Sequence, residues 1–269
     1  MRKLKSILWV LISYLFVFAV TVVIAGMIMN QGKVIGNVQK STSSLPLVYV
    51  QAGGRYINEM HGYTMEMDGG YLRDTLTPLG ESKTINLAVS DSETRIVRAW
   101  YELSNARYDR LLETGSCPAF TRADAMMCTQ ITIVENLKSN REYCLRVLLV
   151  DEDDRQIEYH TRVRFGEKLQ VAEKMKFVLD FNEATFDKNS KETLEDYLEV
   201  TGVESGSDYN QVNITSSSSM VTWGGMSPYR ISDVAVYLKE INTETAAFTL
   251  KYQVESKVDD RVSDFLINE

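Results

Sequence analysis

Residues 137–165 read LKSNREYCLRVLLVDEDDRQIEYHTRVRF. Side chains of a β-strand point alternately to opposite faces, so apolar residues at every second position mark a half-buried strand. Tyr143, Leu145, Val147 and Leu149 mark one such strand. Ile157, Tyr159, Thr161, Val163 and Phe165 mark the next, opposite Glu158, His160, Arg162 and Arg164. The acidic residues 151–154 between them predict an exposed hairpin turn. Upstream, Ile85, Leu87 and Val89 share a face of one strand, Val97, Ala99, Tyr101 and Leu103 of a second, and Ile131 and Ile133 of a third. Strands in this number, separated by polar turns, predict a β-sandwich.

The run from Leu137 to Val147 resembles the end of strand E and the start of strand F in fibronectin type III domains. There a Leu stands six residues before a corner Tyr, and apolar residues alternate after it, as Leu137, Tyr143, Leu145 and Val147 do here. The resemblance covers about residues 80–166 and implies an immunoglobulin-like sandwich in which Tyr143 returns its hydroxyl to the preceding turn. The chain departs from the family pattern in two places. Its turn lacks the usual Gly or Pro, and it has no strand B Trp, since Trp100 falls on the second strand. The broader immunoglobulin-like class is therefore the expectation; such a fold implies a spacer or binding module, while function must come from the site.

Alternation places Trp100 on the outer face of its strand, and Leu148 and Val150 on the outer face of theirs. If those strands are neighbours, an apolar patch lies outside the core, either docked under residues 47–79 or the second domain or open to a partner. Gly53-Gly54 and Asp68-Gly69-Gly70 are turn signals within that leading segment. A smaller α+β domain is expected over 171–269, after a sandwich domain over 47–170. In it Phe177, Leu179 and Phe181 alternate as a strand. Asn189 and Glu192 form a capping-box-like start for a helix over 190–200, on which Leu194, Tyr197 and Leu198 share a face. Further strands are expected around Val212 and Ile214, Val221 and Trp223, Val234 to Leu238, and Phe248 to Val254. The apolar cluster Phe265, Leu266 and Ile267 stands close to Glu269 with no polar tail after it, the pattern expected of an incomplete domain at that end.

At the other end, Arg2, Lys3 and Lys5 precede an uncharged apolar run over residues 6–29. About 20 apolar residues span the hydrocarbon core as a helix. Basic residues before the run and only Lys33 just after it orient the N-terminus to the cytoplasm, leaving residues 30–269 extracytoplasmic. A signal peptide cut between Ala25 and Gly26 has the same outline, but the apolar run through residues 7–24 exceeds the ~7–15 residues of a secretory apolar region. An uncleaved single-pass anchor is the expectation. Residues 30–46, with Gly32, Gly36 and a Ser-rich run, read as a flexible spacer.

Of 29 Lys and Arg, three precede the apolar run, and none of the 37 Asp and Glu does, so the remainder carries a formal charge of −11. That balance disfavours nucleic acid as a partner. Cys117, Cys128 and Cys144 leave at least one thiol unpaired, and Cys117 with Cys128 is the candidate bridge. His61 and His160 are the only histidines, His160 being expected at the surface. No P-loop, H-E-x-x-H, G-x-G-x-x-G or G-x-S-x-G motif is present. Asp180, beside Asn182 and Glu183, is the nearest approach to an acidic cluster. No catalytic residue, metal ligand or cofactor is assigned. The region around Trp223, Gly224, Gly225, Met226 and Tyr229 has the composition of an aromatic loop, so Trp223, Tyr229 and Trp100 are the candidate ligand or partner contacts. The expected function is non-catalytic binding or scaffolding at the cell envelope, toward an envelope glycan or a membrane-protein partner. The rival expectations are a carboxylate-based envelope enzyme and a regulator signalling through its membrane helix.

Overall fold

The structure, a computed structural model, describes residues 45–92, 94–123, 125–187, 226–258 and 261–269. It also describes Trp9, Tyr14, Phe18, Val20, Thr21, Ser190, Leu194, Asp196, Tyr197, Thr222 and Trp223. Contacts divide the chain into a unit over Met1–Thr42 and a second over Ser43–Glu269. In the first, the described residues are helical, with Trp9, Tyr14 and Phe18 exposed. Among the described residues no helix is long and apolar enough to cross a membrane. The expected span over residues 6–29 lies, apart from those five positions, outside the described residues.

Strands β1 (Val48–Ala52), β2 (Arg55–Met60), β3 (Leu76–Leu79), β4 (Thr84–Ser90) and β5 (Ile96–Asn105) open the second unit. They are followed by β6 (Leu111–Ser116), β7 (Thr121–Ala123), β8 (Met126–Thr132), β9 (Arg141–Asp151) and β10 (Gln156–Phe165). The described residues assemble them into two five-stranded sheets, ordered β2-β1-β4-β8-β7 and β3-β10-β9-β5-β6. Their apolar faces meet in one core containing Ile85, Leu87 and Val89 from β4, Leu103 from β5, Leu145, Val147 and Leu149 from β9, and Ile157 and Val163 from β10. The protein is mainly β, and this part is a β-sandwich. Gly53 and Gly54 turn β1 into β2 with φ of 56° and 78°, the left-handed pair that a two-residue hairpin requires.

Val97 departs from the expected inner face and is 47% exposed. The β5–β9 register shifts between Ile96 and Arg98, a bulge that turns Val97 outward and puts Ile96 in the core. The Cys117–Cys128 bridge is not formed: both thiols are free, and Cys144 is buried and free as well. Burial raises the Cys117 thiol to about 11.

Beyond the sandwich come helix α1 (Val171–Phe186) and strands β11 (Tyr229–Arg230), β12 (Ala235–Ile241), β13 (Ala246–Val258) and β14 (Arg261–Asn268). The strand expected over Phe177, Leu179 and Phe181 is thus part of a helix. Its segment is rich in Ala, Glu, Lys, Met and Leu, which favour helix, and its buried residues Met175, Asn182 and Thr185 recur at helical spacing while Phe177 is 50% exposed. Asp180 pairs with Lys176 one turn away, and Asn182 is buried, so Asp180, Asn182 and Glu183 do not form an acidic cluster. Most of the helix expected over 190–200, the strand around Val212 and Ile214, and Val221 lie outside the described residues, whereas Trp223, expected on a strand, is described at φ 63° in a turn instead. Leu194 is described there, helical and buried.

The last sheet runs β11-β13-β12, with β14 along the other side of β13. Leu250, Tyr252 and Val254 of β13 are buried as alternation predicts, and the apolar residues 265–267 extend the sheet as part of β14. Strand β12 lies against the sandwich without a ladder of its own on that side. Instead the Leu238 amide donates to Asn58 Oδ1 (2.8 Å), and Arg162 and Arg164 of β10 donate to the carbonyls of Lys239 (2.6 Å) and Ile241 (3.2 Å). A bulge between Leu238 and Glu240 aims these groups. Asn58, fully buried at φ 57°, also donates to the Leu76 carbonyl, so one amide ties β2, β3 and β12 together.

Candidate functional site

The outer faces of β9 and β10 carry Glu142, Cys144, Arg146, Leu148 and Val150 beside Glu158, His160, Arg162 and Arg164. Read from the sequence, this is a solvent face with one apolar patch. In the fold it is covered. Residues 61–75, between β2 and β3, run back over it as a strap. Tyr63 and Glu158 exchange backbone hydrogen bonds and the Met67 amide donates to the Glu158 carboxylate (3.3 Å), before the strap leads into β3 through Thr75, whose carbonyl accepts from the Arg162 amide (3.0 Å). Leu148 and Val150 on this face are 2% exposed.

The His160 side chain is buried, only 3% exposed, contrary to its expected surface position. Its ring sits edge-on to Tyr63 and Tyr108, 6.4 and 6.2 Å between centroids, and its Nε2 meets Glu158 Oε2 at 3.3 Å. The strap passes so close that a Cβ on Gly69 would lie 2.6 Å from the Tyr108 ring and 3.0 Å from His160 Nδ1. Only glycine permits that approach. Beneath the strap, Arg146 bridges Glu102 (3.0 Å) and Glu158. Burial holds the His160 imidazole below its ordinary range; it also works to raise Glu158, but the Arg146, Met67 and His160 hydrogen bonds outweigh it and hold that carboxyl low.

Glu142 gathers three guanidinium groups: Arg164 at 2.6 Å, Arg73 at 3.0 Å and Arg162 at 3.3 Å. Arg73, from the strap, also donates to the Ala106 carbonyl (2.7 Å), fixing the β5–β6 turn. That turn is built on Asn105, whose Oδ1 accepts the amides of Asp109 and Arg110 and whose amide donates to Asp109. Beside it, the turn before β9 is held by the corner tyrosine, the Lys138 amide donating to the Tyr143 hydroxyl at 2.8 Å. Glu113 of β6 accepts the amides of Val134 and Glu135. Tyr143→Phe is expected to lower stability by about 1 kcal/mol, since the Lys138 amide loses its acceptor. The urea midpoint and faster exchange of that amide would measure it.

Between these two locked turns lies an open cleft of about 740 Å³, lined among others by Arg107, Arg110, Lys138, Arg141 and Glu142. It occupies one end of the sandwich. Leu45, where the described chain enters this unit, lines a second cleft at the other end with Arg95, Asp151 and Arg155. The two histidines, far apart in sequence, line a small cavity of about 90 Å³ with Glu59, Asp74 and Tyr63. Among the described residues no group of three His, Cys, Asp or Glu side chains converges as a metal site.

The candidate contacts named from sequence are dispersed. Trp100 is half-buried on β5, paired in register with Leu148 and Ser116. Trp223 is half-buried at φ 63°, its ring 5.1 Å from Phe186, with Nε1 buried and without a hydrogen-bond partner among the described residues. Arg230 stacks on Phe186 and Tyr252 close by. Tyr229 is 55% exposed on β11. None of the three lines the cleft between the turns, and nothing in the spacing of Arg107, Arg110, Lys138 and Arg141 along the sequence marks them as neighbours. A signal did exist for the covered layer. Glu142 and Arg146 face Arg164 and His160 in register across β9 and β10, a mixed-charge pattern that suits a buried polar layer as well as it suits water.

No protein-family model and no curated protein matches the chain. Among solved structures, the chain is similar to CopC from Methylosinus trichosporium OB3b, at 11% identity and a TM-score of 0.26, over 35% of this chain and 85% of that one. It is also similar to an engineered protein, at 10% identity and a TM-score of 0.27, over 45% of this chain and 20% of that one. Superpositions this partial assign neither a fold family nor a function.

Proposed function

We propose that the chain is a membrane-anchored, extracytoplasmic binding or scaffolding protein of the cell envelope, and that its binding surface is the cleft between the β5–β6 turn and the turn before β9. The cleft carries this reading. Its walls are loops, where recognition residues usually reside, and both loops are immobilised by Asn105, Arg73, Glu113 and Tyr143. A pre-ordered site loses less entropy on binding than a mobile one. The strand order β1-β4-β8 against β6-β5-β9-β10, with a corner tyrosine at the start of β9, supports an immunoglobulin-like frame for it. The apolar run over residues 6–29 supports the anchor, and the basic residues before it support the orientation. Tethering confines the site to the membrane surface, where weak affinity gains from effective concentration.

Asn136, exposed on the cleft wall, offers the test. Asn136→Trp in the full chain is expected to fill the cleft and abolish retention of isolated envelope polymer while leaving the thermal midpoint unchanged. Undiminished retention would remove the cleft as the binding surface.

A further inference from the structure

Most of the Arg and Lys side chains among the described residues are engaged. Arg95, Arg98 and Arg122 pair with exposed carboxylates, Arg155 with buried Asp151 and exposed Asp153, Arg73, Arg162 and Arg164 with Glu142, Arg146 with Glu102 and Glu158, and Arg230 with Glu183. Among the residues whose side chains are described, those with no ion pair, hydrogen bond or ring contact through the side chain are Arg55, Arg107, Arg110, Lys138, Arg141 and Lys168. All but Arg55 and Lys168 line the same cleft. The opposite cleft shows the contrast, because there Arg95 and Arg155 are matched by Glu152, Asp151 and Asp153.

The acids of the cleft offset only part of this set. Glu142 is saturated by its three arginines, and the Asp109 carboxylate accepts from the Asn105 amide at 2.6 Å. Glu135 is hydrogen-bonded through its backbone, its amide donating to Glu113 and its carbonyl accepting from Lys83, and its carboxylate with that of Asp109 leaves two negative charges against the four cations. An excess of cations thus converges on an open concavity in a region whose overall charge is −11. Unpaired guanidinium groups held in a cleft are suited to oxyanions, to which they donate paired, charge-assisted hydrogen bonds.

Resting on the binding role proposed above, we infer that the cleft takes an anionic glycan, with Arg107, Arg110, Lys138 and Arg141 receiving the carboxylate or phosphate groups carried along its chain. The surrounding negative charge makes the recognition local. At physiological salt, charges more than about 8 Å apart are largely screened, so distant acids repel the polymer weakly while contacts in the cleft persist. A polyanion without matching geometry is left with the repulsion alone.

The test uses the full chain in detergent with three probes: oligogalacturonate, its methyl ester, and inorganic polyphosphate. Oligogalacturonate or polyphosphate should bind, the one that binds identifying carboxylate or phosphate as the source, and binding should weaken as salt rises. Arg110→Glu with Arg141→Glu should weaken it by at least about tenfold, one charge-assisted contact being sufficient for that change, with the melting temperature unaltered. Equal binding of the neutral ester overturns the inference, as does unchanged binding in the double variant or silence of both polyanions at low salt. These failures are distinguishable from failure of the binding role itself, because Asn136→Trp reads loss of the natural envelope polymer whatever its charge.

Discussion

Arg146→Leu should destabilise the protein by about 3 kcal/mol, the range for removing one partner of a buried ion pair. Glu158 is the reason. Its side chain is 6% exposed, beneath the strap, and Arg146 is the cation that reaches it. Without the guanidinium the carboxylate keeps the Met67 amide and His160 but has no positive charge to offset its desolvation. Glu102, 30% exposed, loses the same partner with less effect because water reaches it. Urea unfolding followed by far-ultraviolet circular dichroism measures the loss. The double variant Arg146→Leu/Glu158→Gln should recover part of it, since the amide oxygen still accepts from Met67 and no charge is left buried. A double variant no more stable than Arg146→Leu would show that packing of the arginine stem, rather than the stranded carboxylate, is responsible.

Acid should release the strap in two stages. The His160 imidazole is held below its ordinary value of 6.5 mainly by burial. The unfolded chain therefore takes up that proton first, and the stability tied to neutral His160 is complete above pH 6.5 and lost as pH falls through the folded value. Glu158, Glu142 and Glu113 are held below the ordinary 4.5 because their hydrogen bonds from Arg146, Arg164 and Tyr101 outweigh burial. Their contribution is complete above pH 4.5 and is lost below it, with the same sign. The urea midpoint should accordingly decline gently below pH 6.5 and steeply below pH 4.5. Exchange of the Tyr63 and Met67 amides, which are bonded to Glu158, should accelerate in step. His160→Gln should flatten the upper stage and spare the lower one. A midpoint independent of pH between 7 and 5 in the unmodified protein would contradict the burial of a neutral histidine at this position.

Alternation exposed the sandwich strands to reading because an inter-sheet core imposes a strict period of two. Leu145, Val147 and Leu149, or Leu250, Tyr252 and Val254, are buried as their spacing demands. The corner tyrosine was legible through the resemblance of the run from Leu137 to Val147 to fibronectin type III domains, and its bond to Lys138 spans only five residues. Val97 escaped because a bulge is a relation between strands, absent from either strand alone. The segment Val171–Phe186 escaped because apolar residues at 177, 179 and 181 satisfy a strand template over a short window, while the helical period emerges only across the wider span from Met175 to Phe186.

The sequence by itself determined the β class and most faces of the sandwich strands, and its resemblance to fibronectin type III domains implied the tyrosine corner; it also carries the apolar run over residues 6–29 from which an anchor is proposed. These depend on short-range periodicity and on the hydrophobic effect acting residue by residue. Tertiary structure alone decided which polar residues meet. His160, Glu158 and Arg146 look like a solvent face until a strap from 61–75 covers them. Arg107, Arg110, Lys138 and Arg141 belong to separate turns until the pairing of β5 with β9 brings those turns together. Charge interactions act through space with no period along the chain, so the cleft could be recognised only once the fold had joined its walls.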